Sequence, residues 1–384
     1  MKNPVFILSL FDTGYSAGRL LAKSRIPIYG FDHNPGNPGF FSRHIRPFLV
    51  PDPITAGPEL LKILVHESEN CPKQPVLVPA SEIYLDFVSR YRNELERSFF
   101  FRIPSSETLK SILNRARQFA MANASGLDVP RYMWIRKEMQ LEKDLWKFQF
   151  PLIIKSARQT CWKKSVREKA FIVDSRAVLM DRATDLLERK VDFIIQELVG
   201  GPVTNNFEFN ALVLDGKIVR RHVTQKLYQY PPGIGTACSI RTVKNEVIVA
   251  LGTKFVLENG IEGLSNTEFK RDCVSGKIYF IETNARPWQQ IGMTVKMSDD
   301  YLGDFYRYLI RGEIPPSSDF SGSEKTWVDL PSLFLMMLRP RSEERASWFG
   351  VLKAALVSDS RGVLNWSDPV PFIRTVLFKG KARP

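Results

Sequence analysis

Residues 263–288 read Gly-Leu-Ser-Asn-Thr-Glu-Phe-Lys-Arg-Asp-Cys-Val-Ser-Gly-Lys-Ile-Tyr-Phe-Ile-Glu-Thr-Asn-Ala-Arg-Pro-Trp. Two short strand-like runs, 264–270 and 277–283, flank a turn that holds Asp272, Ser275 and Gly276. A hairpin folded about Ser275 places opposite each other the positions whose numbers sum to about 550. Glu268 then faces Glu282, and Asn266 faces Asn284. Opposed residues share a face, as do residues two apart on one strand. Two carboxylates and two amides therefore meet on one patch. Like charges in register repel by some tenths of a kcal/mol unless something neutralises them. Hard divalent cations do so through oxygen ligands, often while bridging to phosphates. A solvated hairpin face with incidental acids is the plain alternative, and geometry alone does not separate the two.

At 384 residues the chain can bury a large core spread over two or three domains. Apolar residues make up 44% and charged residues 25%, the balance of a soluble globular protein. No apolar run approaches the length of a membrane span. The start, Met1 to Asp12, reads as a first buried strand and not as a signal peptide. Cys71, Cys161, Cys238 and Cys273 are scattered without a CxxC pair. Neither a zinc site nor a disulfide framework is expected, and a reducing cytoplasm is the expected compartment. Four histidines leave little material for an imidazole metal site. The net charge of +13 points to an acidic partner such as nucleic acid, a membrane surface or a polyphosphate. The excess is spread: residues 131–190 hold 15 basic and 8 acidic side chains. Without a recognition-helix or RNA-binding aromatic pattern, nucleic acid and membrane are not the expected partners.

The first hundred residues alternate strand and helix, which predicts a parallel sheet covered on both faces. Strands are expected at 5–10, 26–31 and 75–78, with helices at 19–23, 59–67 and 82–96. Gly14-x-x-x-Gly18 after the first strand, with Asp32 closing the second, only loosely matches a dinucleotide fingerprint, because the GxGxxG spacing is missing. A tight turn and close helix packing account for those glycines. Further on come helices at 106–113 and 115–124 and a β-branched run ending in Lys155. A basic stretch, 156–170, carries Arg158, Lys163, Lys164, Arg167 and Lys169 and no glycine. An apolar strand over 191–199 ends in Gly200-Gly201. A hairpin turns at Asp215-Gly216. The string Lys226-Leu-Tyr-Gln-Tyr-Pro-Pro-Gly233 follows, then a helix over 246–258.

Taken in order, these motifs resemble the ATP-grasp superfamily, and among its members the carboxylate–amine ligases related to D-aspartate ligase. The resemblance covers roughly residues 1–290. It implies a mixed α/β and α+β chain with three parts. A pre-ATP-grasp, Rossmann-like domain would span 1–110, and a two-lobed ATP-grasp domain 111–312, with lobes at about 111–195 and 196–312. A C-terminal extension would span 313–384, and its role is not readable. The family's site residues carry over residue by residue. Glu268, Glu282 and Asn284 would hold Mg²⁺, or Mn²⁺, on ATP phosphates. Lys155 would reach the phosphates together with Arg115, which stands where the family has the lysine of an Asp-Lys pair. Arginine keeps the charge but not the shape of lysine. Gln196, Glu197 and Leu198 would form the adenine hinge through backbone groups, with Asn206 or Glu208 near the ribose. Lys226 and Arg286 would face the transferred phosphoryl group. The implied reaction is ATP-dependent: a carboxylate is activated as an acyl phosphate and joined to an amine, with release of ADP and phosphate. The partners would be small carboxylate and amine substrates, with room for a homo-oligomer. The departures at Asn114-Arg115 and in the glycine-free loop motivate an alternative, an ATP-binding regulatory protein of the same fold with weakened catalysis.

Overall fold

In the computed structural model the described residues are 2–136, 145–158, 162, 166, 168–320, 322–337 and 348–382. Lys163, Lys164 and Arg167 of the basic stretch lie outside them, as does Cys161. Three sheets follow one another along the chain. The first contains β1 (Val5–Leu8), β2 (Ile28–Asp32), β3 (Arg46–Leu49) and β4 (Val76–Pro79), parallel and ordered β3-β2-β1-β4. β1 and β4 are apolar and buried on both faces, as a central parallel strand requires. Helix Asp12–Lys23 connects β1 to β2, helix Gly57–Glu69 connects β3 to β4, and helix Glu82–Arg90 follows β4.

The first of those helices begins seven residues before its predicted start and takes in the whole Gly14-x-x-x-Gly18 segment. A Cβ at Gly14 would stand 1.8 Å from the Ser9 carbonyl oxygen, so glycine is required where the helix leaves the strand end. Close backbone approach explains this residue without any dinucleotide.

The second sheet is antiparallel: β5 (Tyr132–Ile135), β6 (Leu152–Ser156), β7 (Ala170–Val173) and β8 (Phe193–Glu197), ordered β5-β8-β6-β7. Alternation divides its side chains. Leu152, Ile154, Phe193 and Ile195 face a core that they share with Leu179, Ala183 and Leu186 of helix Arg176–Glu188. Ile153, Lys155 and Gln196 face the other way.

The third sheet is the largest. β9 (Asn206–Leu214), β10 (Lys217–Tyr230), β11 (Thr236–Val243), β12 (Gly263–Arg271) and β13 (Ile278–Asn284) are joined by the short β14 (Ser318–Asp319), β15 (Thr326–Val328) and β16 (Ser360–Arg361). The order is β13-β12-β9-β10-β11-β15-β16, with β14 paired to β10. The turn at Asp215-Gly216 is present, and both residues have positive φ. The return strand β10 runs on past Thr224 to Tyr230 and takes Lys226 into the sheet. Helix Glu246–Glu258 covers the outer face and presses so close that a Cβ at Gly252 would lie 2.3 Å from the Phe209 ring.

The tail, unreadable in the sequence, completes this sheet: β15 pairs antiparallel with β11, and β16 pairs with β15. The tail also returns to the first domain. Buried Asp368 accepts from Ser42 Oγ at 2.7 Å and from Tyr15 Oη at 3.4 Å. Among the described residues no helix is long and apolar enough to cross a membrane.

Candidate active site between the sheets

The hairpin 263–288 folds in the register that the sequence arithmetic gives. Asn266 pairs with Asn284, Thr267 with Thr283 and Glu268 with Glu282. The pattern then slips by one residue, so Phe269 faces Phe280. That bulge sits next to the two acids, a place where such slips commonly re-aim side chains. β12 also pairs with β9, and there Glu208 lies opposite Glu268, and Asn210 opposite Asn266. Three neighbouring strands therefore carry a row of glutamates, 208–268–282, beside a row of asparagines, 210–266–284. The sequence placed Glu208 near a ribose; the structure brings it into the acid row. Pairing β9 with β12 across fifty residues has no local signal, so the third member of each row was not legible.

The asparagine row is locked by a 2.8 Å bond from Asn266 Nδ2 to Asn210 Oδ1. A hydroxyl contact of 2.9 Å joins Thr267 and Thr283. Helix Arg115–Ala124 is clamped onto the same hairpin by Gln118, whose side-chain amide both donates to and accepts from the Thr283 peptide. Asn114 caps this helix by accepting from Arg117 N at 3.1 Å. Asparagine thus performs here the capping that an aspartate would, and the first helical residue, Arg115, is delivered to the acid row.

Two cations hold the acids. Lys226 Nζ lies 2.5 Å from Glu268 Oε2 and 3.6 Å from Glu208 Oε1. Arg115 Nη2 lies 3.0 Å from Glu282 Oε2, and Nη1 donates to Ser156 Oγ at 2.8 Å. Burial pushes the Glu208 carboxyl up to about 7, only partly offset by Lys226. Against its own desolvation, the Lys226 ammonium is held above the usual lysine range by Glu268 and Glu208. Glu282 likewise overcomes desolvation and sits well below the usual carboxylate range, through Arg115, Lys169 and Lys155.

The second sheet supplies the opposite wall. Lys155 projects from β6 on the same face as Ile153 and Gln196. Burial and then the Arg115 guanidinium push its ammonium down to about 8. Lys169, the described end of the basic stretch, lines the cleft mouth, with Nζ 3.3 Å from Thr236 Oγ1. At the far end are Leu198, Val199 and Asn206. The Glu197 N–H is taken by the Arg131 carbonyl, and its carboxylate turns away to the Gln149 N–H and Arg131. Leu198 and Val199 follow, and their N–H groups have no partner among the described residues. The backbone N–H groups open to a ligand at this end of the cleft are thus those of Leu198 and Val199, not that of Glu197. Val199 was not singled out in the sequence because one apolar residue in an apolar run carries no mark of its own. Arg286 Nη2 donates to Asn284 Oδ1 at 3.2 Å at the other end of the cleft, beside Trp288 and Gln289. The first domain closes that end with Ser9, Thr13 and Glu82. The enclosed volume is about 420 Å³.

The donor set suits a hard cation and a polyphosphate. The ion pairs of Glu268 and Glu282 both use Oε2, and Oε1 of each has no protein partner among the described residues. Asn284 adds an amide oxygen. Among the described residues no three His, Cys, Asp or Glu side chains form a ready-made cage, so any cation here needs oxygens from a ligand as well. Arg115 Nε, Arg286 Nε and Gln196 Oε1 are buried polar atoms with no partner among the described residues, an arrangement expected where a polar ligand completes the bonding.

No protein-family model matches the chain. No curated protein sequence matches it either. Solved structures do. It resembles an L-amino acid ligase from Bacillus licheniformis, with TM-score 0.62, 16% identity, and 82% of this chain against 78% of that one. It resembles the ADP complex of purK, an N5-carboxyaminoimidazole ribonucleotide synthetase, with TM-score 0.67, 13% identity, and 92% against 95%. A third likeness is the biotin carboxylase domain dimer of the 2-oxoglutarate carboxylase of Hydrogenobacter thermophilus, in complex with MgADP, ADP and bicarbonate. There the TM-score is 0.62, the identity 14% and the coverage 85% against 74%. At such identities the likeness establishes the fold: an α/β domain followed by the two-lobed ATP-grasp architecture.

Proposed function

We propose that the protein is an ATP-dependent ligase that activates a carboxylate as an acyl phosphate and joins it to an amine. One observation carries this reading. An acid row in strand register faces Arg115, Lys155 and Lys169 across a cleft of nucleotide size, with unpartnered hinge N–H groups at the far end. The solved neighbours with ADP or MgADP support the choice of nucleotide.

Adenine would lie against Leu198 and Val199, where Gln196 Oε1 offers an acceptor. Asn206, which lines the same end of the cleft as Leu198 and Val199, would meet the ribose. Arg115, Lys155 and Lys169 would bind the phosphates. Glu268, Glu282 and Asn284 would hold Mg²⁺ or Mn²⁺, which supplies neutralisation of phosphate charge. The substrate carboxylate oxygen attacks the γ-phosphorus. A new P–O bond forms, the bond to the bridging oxygen breaks, and ADP departs with that electron pair. The amine nitrogen then attacks the acyl carbon, phosphate leaves, and the amine proton passes to solvent or a nearby base. Lys226 and Arg286 remain charged and stabilise the charge that builds on the transferred group. The first domain, which lines one end of the cleft with Ser9, Thr13 and Glu82, would help to keep water from the acyl phosphate.

An ADP-release assay over a panel of carboxylates and amines, paired with calorimetry of Mg-ATP binding, tests the proposal. Turnover with any pair supports it. No turnover and no nucleotide heat would sink it. Nucleotide binding without release would favour the alternative, a nucleotide-binding regulator. That reading has its own support in the structure, since Lys226 and Arg115 already neutralise two of the three acids.

A further inference from the structure

A second cavity, of about 820 Å³, adjoins the first. It lies between helix Glu82–Arg90 of the first domain, helices Ser106–Ile112 and Arg115–Ala124, and the end of β6. Five of its lining residues are cationic: Arg90, Arg92, Lys110, Arg117 and Arg158. Its acids are Glu82 and Asp86. Arg90 is already paired with Asp86 at 3.0 Å, and Arg92 reaches Glu96 at 3.6 Å. Lys110, Arg117 and Arg158 have no acidic partner among the described residues. Unpaired cations drawn from three separate elements into one concavity repel one another, and an anion relieves that repulsion.

Helix geometry separates this cavity from the nucleotide cleft. Arg115 and Arg117 are two residues apart, about 200° around the helix, so one guanidinium faces the acid row and the other faces the second cavity. Only Glu82 lines both spaces. A molecule whose reacting group sits at the acid row could therefore pass Glu82 and place its remote end among these cations. Phosphates of ATP already have their own cations in the first cleft.

We propose that this cavity binds a phosphate or polycarboxylate group at the far end of one of the ligase substrates, a site that rests on the ligase reading for its purpose though not for its chemistry. A small ligand fits better than a nucleic acid. The three unpaired cations are exposed but line a concavity that also carries Glu82 and Asp86, whereas a polyanionic strand is bound along an open basic track.

Titration calorimetry on the full chain, with citrate and inorganic pyrophosphate as probes and no nucleotide, tests the site. The wild type is compared with Lys110→Ala/Arg117→Ala/Arg158→Ala and with Lys155→Ala. The expected result is binding that weakens at least about tenfold in the triple variant and less than about threefold in Lys155→Ala, in line with the loss of several charge-assisted hydrogen bonds. Circular dichroism of the triple variant checks that it is folded, and Lys110→Glu alone, an exposed substitution, gives a second reading of the same loss. Absence of binding by either probe overturns the proposal. So does binding that Lys155→Ala removes, which would locate the probe in the nucleotide cleft. Retention of a 20-nucleotide RNA, abolished in the triple variant while citrate and pyrophosphate fail to bind, overturns it in favour of a nucleic-acid surface. The readout needs no ATP and no turnover, so its failure is separate from failure of the ligase reading.

Discussion

The two walls of the cleft are built in opposite ways. The acid wall is three adjacent strands of one sheet, with every functional side chain fixed by register and cross-bonded through Asn210–Asn266 and Thr267–Thr283. The cation wall is assembled from unrelated places: the first turn of a helix for Arg115, the end of β6 for Lys155, and the entry to β7 for Lys169. One wall is rigid and holds buried negative charge. The other is composite and depends on that charge. The acid wall should therefore govern stability and turnover together, while the cation wall, apart from Arg115, should govern affinity at little or no cost to folding.

The sharpest way to break this contrast is Glu268→Ala. It leaves Lys226, which is 6% exposed, with only Glu208 at 3.6 Å. Unbalancing a buried ion pair typically costs about 3–5 kcal/mol, and urea denaturation should show a loss of that order. ADP release should fall by about a hundredfold or more. A variant within about 1 kcal/mol of wild type would mean that the acid wall is not the rigid partner. Arg115→Ala comes next, because Arg115 spans both walls. It should cost roughly 1.5–3 kcal/mol, the range for hydrogen bonds to charged groups, and it should weaken nucleotide binding as well. Arg115→Lys should recover part of the affinity but not the bond to Ser156.

Lys155 gives the third and opposite result. Its ammonium sits at about 8 in the fold against an ordinary value of 10.5. Folding therefore disfavours its charge, and the penalty is fully present below pH 8 and fades as pH rises toward 10.5. Lys155→Met should raise thermal stability at pH 7 while weakening nucleotide binding. In the wild type, affinity should fall between pH 7 and pH 9 as the ammonium deprotonates, and Lys155→Arg should flatten that decline. Calorimetric titration across pH reads both. If Lys155→Met is destabilising at pH 7, the cation wall is structural after all. The smallest effect belongs to Asp272→Ala at the hairpin tip. Its carboxylate accepts from Val274 N, Ser275 N and Gly200 N. Loss of about 1 kcal/mol, or a few degrees in melting temperature, is expected.

Legibility in the sequence followed the range of the interactions. The hairpin register at 266–268 and 282–284 was readable because a turn fixes pairing locally and side chains alternate with period two. The parallel first domain was readable from alternating apolar runs. The helix start at Asp12 was not, because its distinguishing cause is contact between Gly14 and the Ser9 carbonyl, which composition does not record. Glu208 entered the acid row only through pairing of β9 with β12, and the second cavity only through packing of three helices. The tail carried no recognisable pattern because β15 and β16 are two or three residues long, too short for any periodicity. Lys226 was noticed for its place in a string, yet its 2.5 Å contact with Glu268 depends on β10 continuing past Thr224.

The Asp272 carboxylate that organises the hairpin tip also holds the Gly200 amide at 3.1 Å, next in the chain to Leu198 and Val199. β12 and the turn residue after it thus reach both ends of the cleft, the Leu198–Val199 end through Asp272 and the acids through Glu268. Four residues separate them, at most about 13 Å of extended chain. The strand acts as a ruler. A ligand that engages hinge and acids together has to match that span, and shorter fragments can satisfy only one mark at a time. Adenosine alone and triphosphate alone should therefore each read a different end of the same scale.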